Sequence, residues 1–166
     1  IDAQWLWSEA LTLTGSLGYI DATYGAYADG PCSVDQLDTV GANCTQDLSG
    51  ETLARAPDWN ASGSIIYNRP LFDEFELTLN LDLIYSDSYF TDIDLDTNTY
   101  QDAYTMVNAR IALGPSVGGW QVGLRGTNLS DETVITGHAD VPFTRGSYGA
   151  RILPPRSYFL DLKVSF

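Results

Sequence analysis

No stretch of about 18 or more apolar residues occurs in this sequence, so no transmembrane helix is encoded. Basic residues are scarce: eight Lys and Arg stand against 22 Asp and Glu, for a formal net charge of −14. Binding to phosphate backbones needs clustered Lys and Arg, so nucleic acid is excluded as a partner class. Polybasic docking on anionic lipid headgroups goes with it; cations, neutral glycans and metal complexes suit the charge better. His138 is the only histidine, and there is one Met. No activated Ser or Cys nucleophile, phosphate loop or metal cluster can be assembled, so no enzyme activity, cofactor or metal site is expected. The chain opens on Ile1 with no basic stretch and apolar run before it. A signal peptide has been removed on this reading, or the chain is an internal piece of something longer.

What is plentiful is aromatic and small: aromatics make up 12% of the chain, with ten Tyr and four Trp, beside fifteen Gly. The mean hydropathy of −0.10 looks soluble. A barrel strand, however, shows lipid only at every second residue, so its average also stays near neutral. The period is two almost everywhere. In 75–86 the odd positions are Phe75, Leu77, Leu79, Leu81, Leu83 and Tyr85, and the even ones Glu76, Thr78, Asn80, Asp82, Ile84 and Ser86. A helix would scatter those leucines around its circumference, whereas a strand collects them on one face. The alternation recurs in 11–19, 59–68, 107–113, 120–125 and 158–166, with Ile66 and Phe159 out of pattern. Residues 1–7 fit the tail of a further strand.

The connections sort by length. Short ones fall at 7–10, 68–74 and 114–119, where Arg69-Pro70, Gly114-Pro115 and Gly118-Gly119 supply turn chemistry. Long ones fall at 28–56, 91–102 and 137–155 and are polar, Gly-rich and partly acidic. Strict alternation of short and long connections is the pattern of a transmembrane barrel, with short periplasmic turns and long extracellular loops. Trp5, Trp7 and Trp120 adjoin short turns while Tyr19, Trp59 and Tyr85 lie toward long loops, as two interfacial girdles require. The fold class expected is all-β, an antiparallel transmembrane β-barrel segment of about seven strands.

Four segments then resemble the C-terminal part of TonB-dependent outer-membrane transporters: LTLTGSLGYIDATY at 11–24, APDWNASGSIIY at 56–67, DAYTMVNARIAL at 102–113, and GTNLSD at 126–131 followed by PRSY at 155–158 and the terminal Phe166. The resemblance covers nearly the whole chain in order. It implies a barrel of about 22 strands around a plugged lumen, importing a scarce nutrient such as siderophore-iron, cobalamin or saccharide with energy relayed by TonB through the plug. It implies the bacterial outer membrane, and as partners the lipid bilayer, lipopolysaccharide, the rest of the barrel and the plug. Phe166 would be the signal read by the barrel-assembly machinery. Neither plug nor TonB box lies within residues 1–166, so the chain reads as the C-terminal part of such a receptor, completed by the same or another chain. The alternatives are a small eight-stranded structural or adhesive barrel and, more remotely, a secreted soluble β-protein.

Within that frame, Asp82, Asn108, Arg110, Arg125, Asp161 and Lys163 are expected to face the lumen, because Arg or Lys facing lipid at mid-depth costs roughly 2–4 kcal/mol. His138, Arg145, Tyr148, Arg151 and Arg156, the densest cationic segment, are the candidates for ligand or plug contact. Cys32 and Cys44 share one polar segment and are expected to form a disulfide; unrelated thiols or half of a metal site are the other readings. The run DIDLDTN at 92–98 resembles the start of a calcium loop, but Thr97 replaces the turn Gly and Ala103 the closing Glu. A solvated acidic loop is the expectation there.

Overall fold

The alternating segments become strands, and their partners are set by the requirement that every apolar face land on the same side of one sheet. The computed structural model describes every residue except Asp73, Pro142, Phe143, Arg145 and Phe166. In chain order the elements are β1 (Asp2–Leu6), β2 (Leu11–Tyr19), β3 (Gly30–Pro31), α1 (Val34–Val40), β4 (Thr45–Gln46), β5 (Trp59–Leu71), β6 (Phe75–Ser86) and β7 (Tyr89–Phe90). After a 3-10 turn at Thr97–Thr99 come β8 (Tyr100–Gln101), β9 (Tyr104–Pro115), β10 (Trp120–Thr127), β11 (Ile135–Asp140), β12 (Tyr148–Ile152) and β13 (Ser157–Val164). Seven of the strands form one antiparallel sheet in the order β1-β2-β5-β6-β9-β10-β13. β3–β4, β7–β8 and β11–β12 are separate two-stranded ladders, inserted in the long connections.

The register carries one apolar stripe across the whole sheet. Trp5 pairs with Leu13, Leu13 with Ile65, Ile65 with Leu81, and Leu81 with Ala109. One step along, Leu79 faces Ile111, Ile111 faces Leu124, and Leu124 faces Leu160. These side chains are not covered by protein: Leu124 is 51% exposed and Leu160 79%. Among the described residues the buried hydrophobic positions are Cys32, Leu48, Ala112 and Val134, three of them in the long connections. A water-soluble sandwich would hide the stripe in a core. Here its surroundings must themselves be apolar.

Aromatic rings close the stripe at both ends. Trp5 stacks against Trp7 with centroids 4.5 Å apart, and Phe75 lies 6.2 Å from Trp120, all beside the short turns. Tyr19 and Trp59 meet at 4.6 Å beside the long connections. Two of the expected turns prove narrower. Arg69 and Pro70 pair with Leu77 and Glu76 as strand residues, and the chain reverses between Leu71 and Phe75 instead. Pro70 lies past the end of β2, whose pairing with β5 stops at Tyr67, so no ladder hydrogen bond is lost. Gly114 and Pro115 likewise pair with Glu76 and Phe75. The turn itself is 116–119, with Gly118 and Gly119 at φ +59° and +93°.

The long connections are built rather than loose. α1 opens on a capping box: the Ser33 hydroxyl accepts from the Gln36 amide, and the Gln36 side chain accepts from the Ser33 amide. Cys32 and Cys44 are disulfide-bonded, with Cα atoms 5.9 Å apart, and tie the two ends of this helical segment together. Replacing both by Ser removes a short closed loop worth roughly 2–3 kcal/mol. Amide exchange in α1 should then accelerate about 30- to 150-fold while exchange in β6 is unchanged. Equal acceleration in both would mean the bridge supports the sheet and not the loop.

Candidate functional site

The polar face of the sheet gathers the charged residues that alternation left over. Asp82 stands across from Ser64 and Asn108, and Arg110 across from Asn80 and Arg125. Asp161 pairs across from Gly123, and Lys163 across from Gln121. All six residues expected to face the lumen thus share one face, opposite the apolar stripe. Like charges directly opposed in a sheet repel, and Arg110 and Arg125 relieve this differently. Arg110 reaches over Gly123 to Asp161, donating from Nη2 at 2.6 Å and Nε at 3.2 Å, and from Nη2 to Gln121 at 3.1 Å. Any Cβ on Gly123 would stand 2.6 Å from that guanidinium. Arg125 lies over the Phe159 ring, 4.9 Å from its centroid, which accounts for the aromatic that broke the alternation in β13. The latch joins β9 to β13 across β10.

Above the sheet the long connections form a second layer. β11 and β12 pair His138 with Ala150 and Asp140 with Tyr148, so these four side chains share one face of the hairpin. Gly137 and Arg151 share the other. On the first face the Tyr148 hydroxyl donates to Asp96 at 2.9 Å and accepts from Asn98. Its burial and the Asp96 carboxylate push the phenol up to about 12. His138 Nδ1 lies 2.6 Å from the Thr91 hydroxyl. Thr91 spends its own proton on the Thr99 carbonyl at 2.7 Å. His138 must therefore be the donor through Nδ1.

The sequence pattern DIDLDTN is not the solvated loop expected. Asp94 and Asp96 are 7% and 8% exposed. With Asp140 from the hairpin they place three carboxylate oxygens within 4.8 Å of one another. Burial pushes the Asp94 carboxyl above its usual range, and Asp92, Asp140 and Asp96 push the same way. Asp140 is raised by burial, then by Asp92 and Asp96, against the Val34 amide that donates to it. Its Oδ1 is buried and has no hydrogen-bond partner among the described residues. An all-carboxylate set is the donor chemistry of a hard divalent cation such as Ca²⁺ or Mg²⁺. The crowded carboxylates oppose one another, which favours the protonated forms of Asp94 and Asp140. Because the folded values are raised, the native layer holds more protons than the unfolded one. Stability is therefore lost as pH rises through the folded values and regained on acidification toward about 4. Asp140→Asn should slow β11 amide exchange at neutral pH, relative to an unstructured peptide, and flatten its pH dependence. Faster exchange at neutral pH would contradict the repulsion.

Of the contact residues expected from sequence, the hairpin brings His138 and Tyr148 together, with ring centroids 6.4 Å apart. Tyr148 and Arg151 lie on opposite faces of the hairpin. Arg156 sits at its base, paired with Asp131 at 3.1 Å. Arg145, and Phe166 with its expected assembly role, lie outside the described residues. Arg55, not singled out from sequence, faces the hairpin: its Nη2 comes within 3.7 Å of where a Gly137 Cβ would be. Only its backbone, at φ +60°, marks it as unusual, and nothing in the residue pattern announces that.

A seven-stranded meander with short turns at one end, built loops at the other and one uncovered apolar stripe invites comparison with membrane barrels. The family model described as TonB dependent receptor-like, beta-barrel matches residues 1–129. The chain belongs to this family. Membership makes it part of a TonB-dependent receptor β-barrel, a family of the bacterial outer membrane. Among solved structures, the chain is similar to the siderophore receptor PiuA from Acinetobacter baumannii, with a TM-score of 0.68 at 18% identity. That likeness covers 96% of this chain and 20% of the receptor, so the chain spans about a fifth of its length. No curated protein matches the chain. The family assignment rests on β1–β10, and the place of β13 rests on the shared fold.

Proposed function

We propose that the chain is the closing, C-terminal part of the barrel wall of a TonB-dependent importer, with its long connections extracellular and its short turns periplasmic. The observation that carries this is the apolar stripe continuous in register through all seven strands, with the charged residues on the opposite face. That stripe faces lipid, and Asp82, Asn108, Arg110, Arg125, Asp161 and Lys163 face a lumen holding water and a plug. The sheet's outer strands, β1 and β13, have no partner on their outer sides among the described residues. An unpaired edge in lipid costs several kcal/mol per backbone group, so further wall strands must flank both. The nutrient carried is a metal chelate of siderophore type or a comparable scarce molecule, delivered by work that TonB exerts on the plug.

The test is uptake by cells carrying the full-length gene. A panel of radiolabelled ferric chelates, cobalamin and oligosaccharides should include one whose import requires both this gene and TonB. Retention of the protein in membranes after high-salt washing, with release only by detergent, should accompany it. Release by salt alone, or the lack of any TonB-dependent uptake defect across the panel, would overturn the reading.

A further inference from the structure

The chain is strongly acidic, and three of its six described arginines are engaged. Arg110 is bound by Asp161, Arg156 by Asp131, and Arg125 lies over Phe159. Arg55 and Arg151 differ. Both are exposed, and neither has a carboxylate within ion-pair distance among the described residues. They nevertheless converge. Arg151 stands directly across the hairpin from Gly137, and the Arg55 guanidinium lies over that same glycine.

The two groups line a pocket of about 510 Å³ together with the small residues Gly137, Ala139 and Gly149. Arg55 is held for this position. Its Nε donates to the Thr91 carbonyl at 2.9 Å, and its own amide donates to the Phe90 carbonyl at 2.8 Å. Thr91 is fully buried, and its hydroxyl also fixes His138, which lines the same pocket. The carbonyl of this buried residue thus holds Arg55 at the pocket.

Juxtaposed guanidiniums repel unless an anion sits between them, and Arg is the side chain whose planar fork matches carboxylate and phosphate oxygens. With 22 acidic residues in the chain, a carboxylate to neutralise the pair was readily available in composition, yet among the described residues none lies within ion-pair distance. We propose that Arg55 and Arg151, above Gly137, form an oxyanion-binding shelf in the loop layer, taking the carboxylate or phosphate group of a ligand. Two sources offer that chemistry: an anionic ligand on its way to import, which rests on the importer reading, and the phosphate of a lipopolysaccharide headgroup beside the wall.

The probe is inorganic pyrophosphate, titrated calorimetrically into the detergent-solubilised full-length protein at low salt. Saturable binding is expected. It should weaken about tenfold or more in Arg55→Gln and in Arg151→Gln, since each removes charge-assisted hydrogen bonds, and less than about twofold in Arg156→Gln. Arg151 anchors no other element, so Arg151→Gln stays informative if Arg55→Gln misfolds, and Arg55→Lys should keep part of the affinity. Lipopolysaccharide that displaces pyrophosphate names the headgroup as the source. Failure to displace names a soluble ligand. Absent saturable binding, or equal binding by parent and Arg151→Gln, overturns the shelf. Because the measurement needs neither TonB nor uptake, it can fail while the importer reading stands, and the reverse.

Discussion

Leu81→Arg is expected to cost roughly 2–4 kcal/mol of folding stability in a bilayer, while Ser64→Arg, one strand away and one residue out of phase, costs about 1 kcal/mol or less. Leu81 lies near the middle of β6, between Ile65 and Ala109 on the apolar stripe. A guanidinium there has no water, and its fork can reach no carboxylate without crossing the sheet. Ser64 lies on the polar face, directly across from Asp82 and Thr14, so an arginine introduced there gains a neighbouring carboxylate. The comparison needs no assumption about what is transported. Equilibrium refolding of the full-length protein into lipid vesicles from urea reads it, and loss of heat-modifiable mobility in gels is the qualitative form. Equal tolerance at the two sites would mean that neither face meets lipid, and the membrane reading of the stripe would fall with it.

The wall was legible because its signal is local. In β6, five leucine and aromatic positions in strict alternation from Leu77 declare the strand and its two faces with no knowledge of the partner strands. Phe159 was not legible, because its reason is Arg125 on the adjacent strand. Arg69-Pro70 misled for a related cause. Proline in a central strand breaks a ladder, and only the length of β2 reveals that this proline lies past the neighbour's end. The disulfide was legible from composition, two cysteines in one polar segment with no other plausible ligands nearby.

The loop layer was the opposite case. Its hairpin has no apolar face to set a period, since Gly137, Ala139, Gly149 and Ala150 take four of its eleven strand positions. The acidic cluster joins Asp94 and Asp96 to Asp140 across more than forty residues. Such contacts depend on how separate connections pack over one another, which no spacing within a single segment encodes. Arg55 and Arg151 approach Gly137 in the same way, so a search for local cationic density singled out Arg151 and not Arg55.

Asn128→Ala should be the most damaging small substitution in the connections, at roughly 3–4 kcal/mol. Asn128 is 3% exposed and sits at φ +50° just past the end of β10. Its Nδ2 donates to the carbonyls of Glu132 at 2.8 Å and Pro154 at 3.3 Å, and its Oδ1 accepts from the Glu132 amide at 2.9 Å. One side chain therefore stitches the turn after β10 to the segment that enters β13, and so closes the base of the β11–β12 hairpin. Alanine removes all three bonds, leaves buried backbone groups unsatisfied, and puts a Cβ that offers no local hydrogen bond into a left-handed backbone. Asn108→Ala is the control. It deletes only the acceptor of the Asn128 amide, at 2.9 Å, and should cost about 1 kcal/mol. Thermal unfolding of the purified full-length protein and amide exchange in β11 should rank the two variants in that order, with β6 little affected by either. If Asn108→Ala proved as costly as Asn128→Ala, the bond between the two asparagines would be the anchor of the closing strands, and the hairpin's base would hang on the wall instead of on its own turn.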